Sequence, residues 1–212
     1  MGNRLKIKFF LTGFKMLVKI LFFSFLAAGL LFCEPNFSAL TFQQNNILMK
    51  NLSADSGSTD ITLNKIIEDS YSGMPMLIGQ CNREAFKDTS FNWWWMSEYN
   101  FYDIDSASLK EIKNNLKGVD IKIVMGTWCS DSRREIPRFF KILDAVNYPS
   151  DKVRIICVDE DKKTNGNELN NLNIELVPTI IFYKDGNELG RIIESPHDTL
   201  EKDMIKILTA HS

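Results

Sequence analysis

Gly126-Thr127-Trp128-Cys129-Ser130-Asp131-Ser132 separates two stretches of unlike character. The apolar run Val119–Met125 before it predicts a buried strand, and the polar run 133–146 after it predicts a helix. Pro137 lies inside that helical pattern, where it removes a backbone hydrogen bond and should bend the helix. The sequence thus places Cys129 where a strand ends and a helix begins.

The position of Cys129 favours a reactive thiolate. Unpaired backbone N–H groups and aligned peptide dipoles at a helix N-terminus attract negative charge. Arg133 and Arg134, one turn into the helix, act in the same direction, whereas the carboxylate of Asp131 opposes them. We therefore expect Cys129 to react faster than an ordinary cysteine, with the balance between these charges left open.

A second signal lies downstream, in Val177-Pro178-Thr179. It opens the strand-like run 179–183, and a proline at the start of a strand is a candidate for a cis peptide bond. Together with Trp-Cys-x-x and the helix proline, this tripeptide makes residues 103–212 resemble the thioredoxin superfamily, in particular exported Bacteroidetes-type members with a Cys-x-x-Ser motif. The resemblance implies an α/β fold in which a mixed central sheet is flanked by helices.

The resemblance also implies roles for the motif residues. Cys129 would be the nucleophile, and its partners would be protein thiols or disulfides. Val177, Pro178 and Thr179 would bind substrate, because the backbone before a cis proline can pair with an extended peptide. Trp128 would cover the site rather than take part in the chemistry.

Two positions depart from the family pattern. Ser132 stands where the family has its second cysteine, and a hydroxyl cannot form a disulfide, so the two-cysteine cycle cannot close within the motif. Ile123 stands where the family has a buried acid. Ser132 is still a candidate hydrogen-bond donor to the Cys129 thiolate. Cys81 is the remaining candidate for a resolving thiol, whereas Cys157 is expected in the core.

The sequence supports two functions of different kinds. The first is thiol–disulfide exchange by one cysteine, in which Cys129 forms mixed disulfides as an isomerase or oxidoreductase. The second is a redox-inactive binding module that uses the surface around Trp128 and Pro178, because a fold does not guarantee its usual activity. Peroxidase chemistry is disfavoured, because Thr127 lies two residues before Cys129 and the pattern of that related family needs three.

Composition and charge limit the class of protein. At 212 residues, with 44% hydrophobic and 25% charged residues, the chain is globular. Residues 1–33 carry five basic groups and no acid, which leaves 20 basic against 27 acidic residues in the remainder. The remainder therefore has a net charge of about −7, which argues against a nucleic acid partner. Two histidines and four scattered cysteines predict neither a metal cluster nor a disulfide framework, and no cofactor is expected.

The N-terminus is typical of an export segment. A basic start precedes the apolar run 20–32, which has the length of a signal-peptide core and is short for a membrane-spanning helix. Cys33 follows directly and suggests a lipoprotein cysteine, although Phe32 stands where a small residue is usual, so ordinary signal cleavage and an uncleaved anchor stay open. Each alternative places the folded part in the cell envelope or periplasm, where disulfides persist. A lipid or an anchor would attach it to the membrane.

These patterns divide the chain into four segments. They are a signal, lipoprotein or anchor segment (1–33), a flexible tether (34–60), a helical, aromatic-rich N-terminal extension (61–102) and a thioredoxin-like domain (103–212). Helices are predicted over 61–71 and 82–87 of the extension. Its aromatic run 91–102 either packs the extension onto the domain or forms a substrate platform near Cys129.

The domain itself shows helical and strand patterns in alternation, which favours a mixed sheet covered by helices. The predicted elements outside the motif are a helix from Ser106 to about residue 116, a strand over 152–159, a short helix over 168–172, a hairpin that turns at 184–187, and a closing helix over 199–208.

Overall fold

The computed structural model describes residues 62–210. Its strands are β1 (Lys65–Glu68), β2 (Pro75–Cys81), β3 (Val119–Met125), β4 (Val153–Cys157), β5 (Thr179–Lys184) and β6 (Asn187–Ile193). Its α-helices are α1 (Thr89–Phe101), α2 (Leu109–Asn115), α3 (Ser130–Ala145) and α4 (Leu200–Thr209). Two short 3₁₀ turns, Arg83–Lys87 and Ser150–Lys152, complete the set.

The six strands form one sheet in the order β1-β2-β4-β3-β5-β6. Strands β3 and β4 are parallel, and every other neighbouring pair is antiparallel. The sheet is therefore mixed and flanked by helices, which confirms the expected fold class. Strand β3, which leads into the motif, lies between β4 and β5, so the cysteine that follows it comes from the interior of the sheet.

Two hydrophobic cores lie on opposite faces of the sheet. The larger core, which we call core 1, includes Ile121, Ile123 and Met125 of β3 and is covered by the buried faces of α1 and α3. The smaller core, core 2, includes Val124 of the same strand and the loop residue Val177. This alternation follows from the two-residue period of a strand, which sends successive side chains to opposite faces.

The N-terminal extension begins with a hairpin, so the helix predicted over 61–71 is wrong. Strand β1 pairs with β2, and the turn between them is held by Asp69, which accepts the amide hydrogen of Gly73. Asn64 adopts a φ of 62°, which a helix excludes. The apolar spacing over these four residues fits a strand as well as a helix. Pairing at the edge of the sheet, which local spacing does not encode, makes the segment a strand. The 82–87 segment is a single 3₁₀ turn, capped by Asn82.

The aromatic run 91–102 forms most of α1 and packs against the domain. Phe91, Trp94 and Trp95 are buried, and the ring of Trp95 lies 5.4 Å from that of Phe140 on α3. Trp93 and Phe101 are exceptions, with 66% and 87% of their surfaces exposed. The aromatic density therefore serves mainly to join the extension to core 1.

Two further predictions in the domain are corrected. Helix α2 starts at Leu109 after Ser108, not after Ser106, because Asp105 holds the preceding turn through the Ser108 hydroxyl. The 168–172 segment is a turn rather than a helix, since Asn171 takes a left-handed conformation with a φ of 62°. The strands at 153–157 and 179–184, the hairpin turn and the closing helix occur where the sequence predicts them.

The predicted export segment and tether lie outside the described residues. Within residues 62–210, no helix has the length and apolar character needed to cross a membrane.

Candidate functional site

Cys129 is the N-cap residue of α3, a helix of 16 residues. Its carbonyl accepts the amide hydrogen of Arg133 at 3.0 Å, the first hydrogen bond of the helix, and its own amide donates to Gly126 at 3.1 Å. The side chain is half-buried. The sulfur therefore lies at the positive end of a long helix dipole, as the sequence predicts, and retains access to solvent.

The loop before β5 contacts the Cys129 thiol. The Val177–Pro178 peptide bond is cis, and the Cys129 Sγ donates a hydrogen bond to the Val177 carbonyl oxygen at 3.2 Å. Thr179 anchors the same loop, since its Oγ1 donates to the Leu176 carbonyl at 2.7 Å. The structure thus brings Cys129 together with the loop of Val177, Pro178 and Thr179, the residues to which the family resemblance gives a role in substrate binding.

Trp128 lies beside the thiol in a fixed orientation. Its indole Nε1 donates to the Val158 carbonyl at 2.9 Å, just beyond the end of β4. The ring passes so close to Gly126 that a Cβ atom there would lie 2.5 Å from the indole. Gly126 is therefore needed for this close approach, and Trp128 is half-buried as a wall of the site.

Thr127 is a residue of the site that sequence reasoning missed. It is buried, and its Oγ1 accepts the amide hydrogen of Leu77 on β2 at 3.1 Å. Its carbonyl accepts a hydrogen bond from the Arg133 guanidinium. No sequence signal pointed to this contact, because it depends on where the N-terminal hairpin joins the sheet.

The charges around the thiol divide into Arg133, which acts on Cys129, and a cluster in which Arg134 is paired with two carboxylates. Arg133 is half-buried and interacts electrostatically with Cys129; burial lowers the pKa of Arg133, and Cys129 acts in the opposite direction. Arg134 instead lies 2.6 Å from an oxygen of Asp131 and 2.6 Å from one of Glu135. Of the charges considered from sequence, Arg133 is the one that interacts with Cys129.

Ser132 is fully buried and faces the motif backbone. Its Oγ accepts the amide hydrogen of Gly126 at 3.2 Å. The thiol of Cys129 is hydrogen-bonded to the Val177 carbonyl instead of to Ser132. Ser132 therefore stabilises the turn that presents Cys129. Ile123, which stands in place of the family acid, is a fully buried member of core 1.

The structure does not bring Cys81 to Cys129. Cys81 belongs to core 1 and pairs with Ile155, whereas Cys129 packs against core 2 on the opposite face of the sheet. The suggestion that Cys81 resolves a disulfide on Cys129 within one molecule is corrected, because the sheet separates the two sulfur atoms. Cys157 is fully buried, as expected for a core residue. In residues 62–210, no group of three or more His, Cys, Asp or Glu side chains is placed to hold a metal ion.

Comparison with known proteins agrees with this geometry. The family model for thioredoxin matches residues 107–206, a segment that contains the motif, the cis proline and the hairpin. Residues 107–206 therefore form a thioredoxin domain. A thioredoxin-like domain of this kind indicates thiol–disulfide exchange in general terms, with protein thiols and disulfides as the usual partners of the family. No curated protein matches the sequence.

Several solved structures are similar to parts of the chain. A protein of unknown function from Pseudomonas aeruginosa is 14% identical, over 64% of this chain and 95% of its own, with a TM-score of 0.48. Thioredoxin from Fasciola hepatica is 22% identical, over 49% of this chain and 89% of its own, with a TM-score of 0.33. Thioredoxin O2 from Arabidopsis thaliana is 23% identical, over 51% of this chain and 85% of its own, with a TM-score of 0.31.

Proposed function

We propose that this protein exchanges disulfides through one cysteine, Cys129, which forms mixed disulfides with substrate proteins. The observation that supports this most directly is the place of the sulfur. It is half-buried at the N-terminus of α3, beside Arg133, and within hydrogen-bond distance of the Val177 carbonyl before Pro178. A cysteine with a purely structural role would need none of these features.

The first step uses the thiolate of Cys129. It attacks one sulfur of a substrate disulfide, that S–S bond breaks, and the second substrate sulfur leaves as a thiolate that takes a proton from water. Once Cys129 has lost its proton, the Val177 carbonyl is available to accept a backbone N–H of the substrate. Loss of the thiol hydrogen therefore frees the Val177 carbonyl oxygen, and an extended substrate peptide can bind at that same oxygen.

The second step needs a thiol from outside the motif, because Ser132 has none and Cys81 faces the other core. If the substrate's own thiol attacks the substrate sulfur, Cys129 is released and the substrate disulfide is rearranged without net oxidation or reduction. If a small thiol attacks the Cys129 sulfur, the substrate leaves reduced and Cys129 stays joined to that small thiol until a second one releases it.

The experiment is to trap the mixed disulfides in cells by acid quenching and non-reducing electrophoresis. Native protein should give covalent adducts, and Cys129→Ser should give none. Cys81→Ser is the matched control and should give the native amount, because that thiol has no path to Cys129. More adducts in Cys81→Ser would make Cys81 a resolving residue. If no adducts form under oxidising stress while partners still bind noncovalently, the binding-module function replaces exchange.

We also propose that the folded part works in the cell envelope, held at the membrane by the N-terminal segment or a lipid on Cys33. The support is the basic start followed by the apolar run 20–32. Fractionation should find the protein with membranes or periplasm, and recovery from the soluble cytosol would contradict export. Mass spectrometry of the mature N-terminus tests lipidation separately, since an unmodified Cys33 removes the lipoprotein alternative.

A further inference from the structure

Cys81 and Cys157 lie on two neighbouring strands, β2 and β4, with their side chains on the same face of the sheet. In the pairing of β2 with β4, Gly79 lies opposite Cys157 and Cys81 lies opposite Ile155, so the two cysteines occupy diagonal positions. Both side chains belong to core 1, and both cysteines are reduced. Diagonal neighbours on one face of a sheet are farther apart than directly opposite ones, so the direction of each side chain decides whether they meet.

The thiol of Cys81 leans towards its neighbour. It donates to the Gly79 carbonyl, with 3.6 Å between sulfur and oxygen, and Gly79 is the residue directly opposite Cys157. This contact directs the Cys81 sulfur towards the position opposite Cys157, so the two thiols approach each other across the strands. Their hydrogen bond, together with complete burial, raises the pKa of the Cys157 thiol well above its usual value.

We propose that Cys81 and Cys157 form a second redox site, separate from Cys129, which a low-molecular-weight disulfide oxidises to a cross-strand disulfide. Neither thiol has a part in the exchange reaction at Cys129. The site is therefore one at which the protein itself is modified, not one at which it acts on substrates.

Oxidation takes two exchange steps. Cys81 lies at the end of β2 with 6% of its surface exposed, so its thiolate attacks the small disulfide first and releases one small thiol. The thiolate of Cys157 then attacks the Cys81 sulfur and releases the second small thiol, and the two protons pass to the leaving thiolates. Both protein thiols are oxidised and one small disulfide is reduced. Because the second step needs the Cys157 thiolate, the reaction is slow near pH 7 and faster at alkaline pH.

The crosslink would fasten the N-terminal hairpin to the domain. Strand β2 pairs with β4 over only three residue pairs, and it also carries the amide of Leu77 that binds Thr127 in the motif. A disulfide here closes a loop over residues 82–156, and long loops give large stabilisation. We expect the oxidised protein to unfold about 10 °C above the reduced one.

The test uses the full chain with Cys33→Ser and Cys129→Ser, so that only the two cysteines in question remain. Incubation with excess oxidised glutathione at pH 8.5 should remove two hydrogens, and proteolysis should yield one peptide pair joined through Cys81 and Cys157. The thermal midpoint should rise, and the reaction should slow severalfold at pH 7. Adding Cys81→Ala should abolish both crosslink and thermal shift.

Two outcomes overturn the proposal. The first is that both thiols remain free, with the chain folded, after prolonged incubation. The second is a glutathione adduct on either cysteine that persists without the crosslink, which would show that the sulfur atoms cannot approach to bonding distance. Mass spectrometry of the intact protein distinguishes these results from the crosslink and does not depend on the stability of the Cys81→Ala variant.

Discussion

Arg133 and Arg134 are neighbours of the same charge, yet they occupy unlike environments. Arg134 lies between two carboxylates, those of Asp131 and Glu135, and also donates to the Ser195 hydroxyl. Arg133 has a backbone carbonyl, the face of Trp94 and the Cys129 sulfur around it. An unneutralised cation beside a sulfur favours the thiolate, whereas a cation paired with carboxylates has less effect.

We expect Arg133→Met to slow alkylation of Cys129 at neutral pH by about three- to tenfold, because the variant removes roughly 1 kcal/mol of attraction between the guanidinium and the thiolate. Site-resolved mass spectrometry after timed iodoacetamide treatment measures the rate. Arg133→Lys keeps the charge and should lose less. The double variant Asp131→Asn/Arg134→Gln, which removes one positive and one negative charge, should keep an alkylation rate close to the native one. A native rate in Arg133→Met would assign that arginine a packing role only.

Ser132 is three residues after Cys129, so the two side chains occupy the N-cap and the third position of α3. We expect Ser132→Cys to create dithiol reductase activity that the native protein lacks, because a thiol there can attack a mixed disulfide on Cys129. Insulin reduction driven by a dithiol donor measures the gain, with Ser132→Ala as the control that has no second thiol. If Ser132→Cys stays inactive, the apolar side chain of Ile123, in place of the family's acid, limits the chemistry instead.

Elements defined by long periodic patterns could be predicted from sequence. The β3 run has seven residues of strand character, and the β5–β6 hairpin carries Asp185-Gly186, which both adopt positive φ as a tight hairpin turn requires. These signals are local. The sequence predicted Cys129 at the start of α3 for the same reason, since strand, turn and helix are contiguous in the chain.

Elements that depend on distant contacts could not be predicted. Strand β1 has four residues and only one neighbour in the sheet, so its apolar spacing does not distinguish strand from helix. The contacts of Thr127 with Leu77, and of Cys81 with Cys157, require the register of β2, which no local pattern encodes. The charge balance at Cys129 likewise required knowing which arginine pairs with Asp131.

Half-buried phenols connect elements and make the stability of the fold fall at alkaline pH. Tyr148, just after α3, donates to the Val119 carbonyl at the start of β3, and burial, with smaller contributions from Asp120 and Asp151, raises the pKa of Tyr148 to about 12. Tyr102, at the end of α1, donates to the carboxylate of Glu201 at 2.8 Å, and burial followed by that carboxylate raises the pKa of Tyr102.

We therefore expect stability to fall as the pH rises above about 10. Below that pH the phenols are protonated in both states. Above it the phenols of the unfolded chain ionise, whereas Tyr148 in the folded chain stays protonated until about pH 12. Thermal midpoints between pH 8 and 11.5 measure this loss. Tyr148→Phe should make the thermal midpoint fall less steeply with pH. Tyr71→Phe, which changes a ring with 75% of its surface exposed, should leave that slope unchanged. Equal slopes in native protein and Tyr148→Phe would count against this role.

In the molecule as a whole, the N-terminal hairpin extends the sheet and also contacts the motif. Strand β2 lies beside β4, and its Leu77 amide donates to Thr127, two residues before Cys129. The same threonine accepts from Arg133 through its carbonyl. The hairpin is therefore linked through Thr127 to the cation beside the thiol, and disturbance of the hairpin should reach the motif by this route.

Thr127→Val tests that link, because valine matches threonine in shape and lacks the hydroxyl. The Leu77 amide would lose its acceptor in a buried place, which should destabilise the protein by about 1–3 kcal/mol. Hydrogen exchange should become faster at Leu77 and along β2, and Cys129 alkylation should slow as the motif loosens. Thr127→Ser keeps the hydroxyl and should retain both the slow exchange and most of the reactivity. If Thr127→Val loosens β2 while Cys129 reacts at the native rate, the hairpin stabilises the sheet without influencing the thiol.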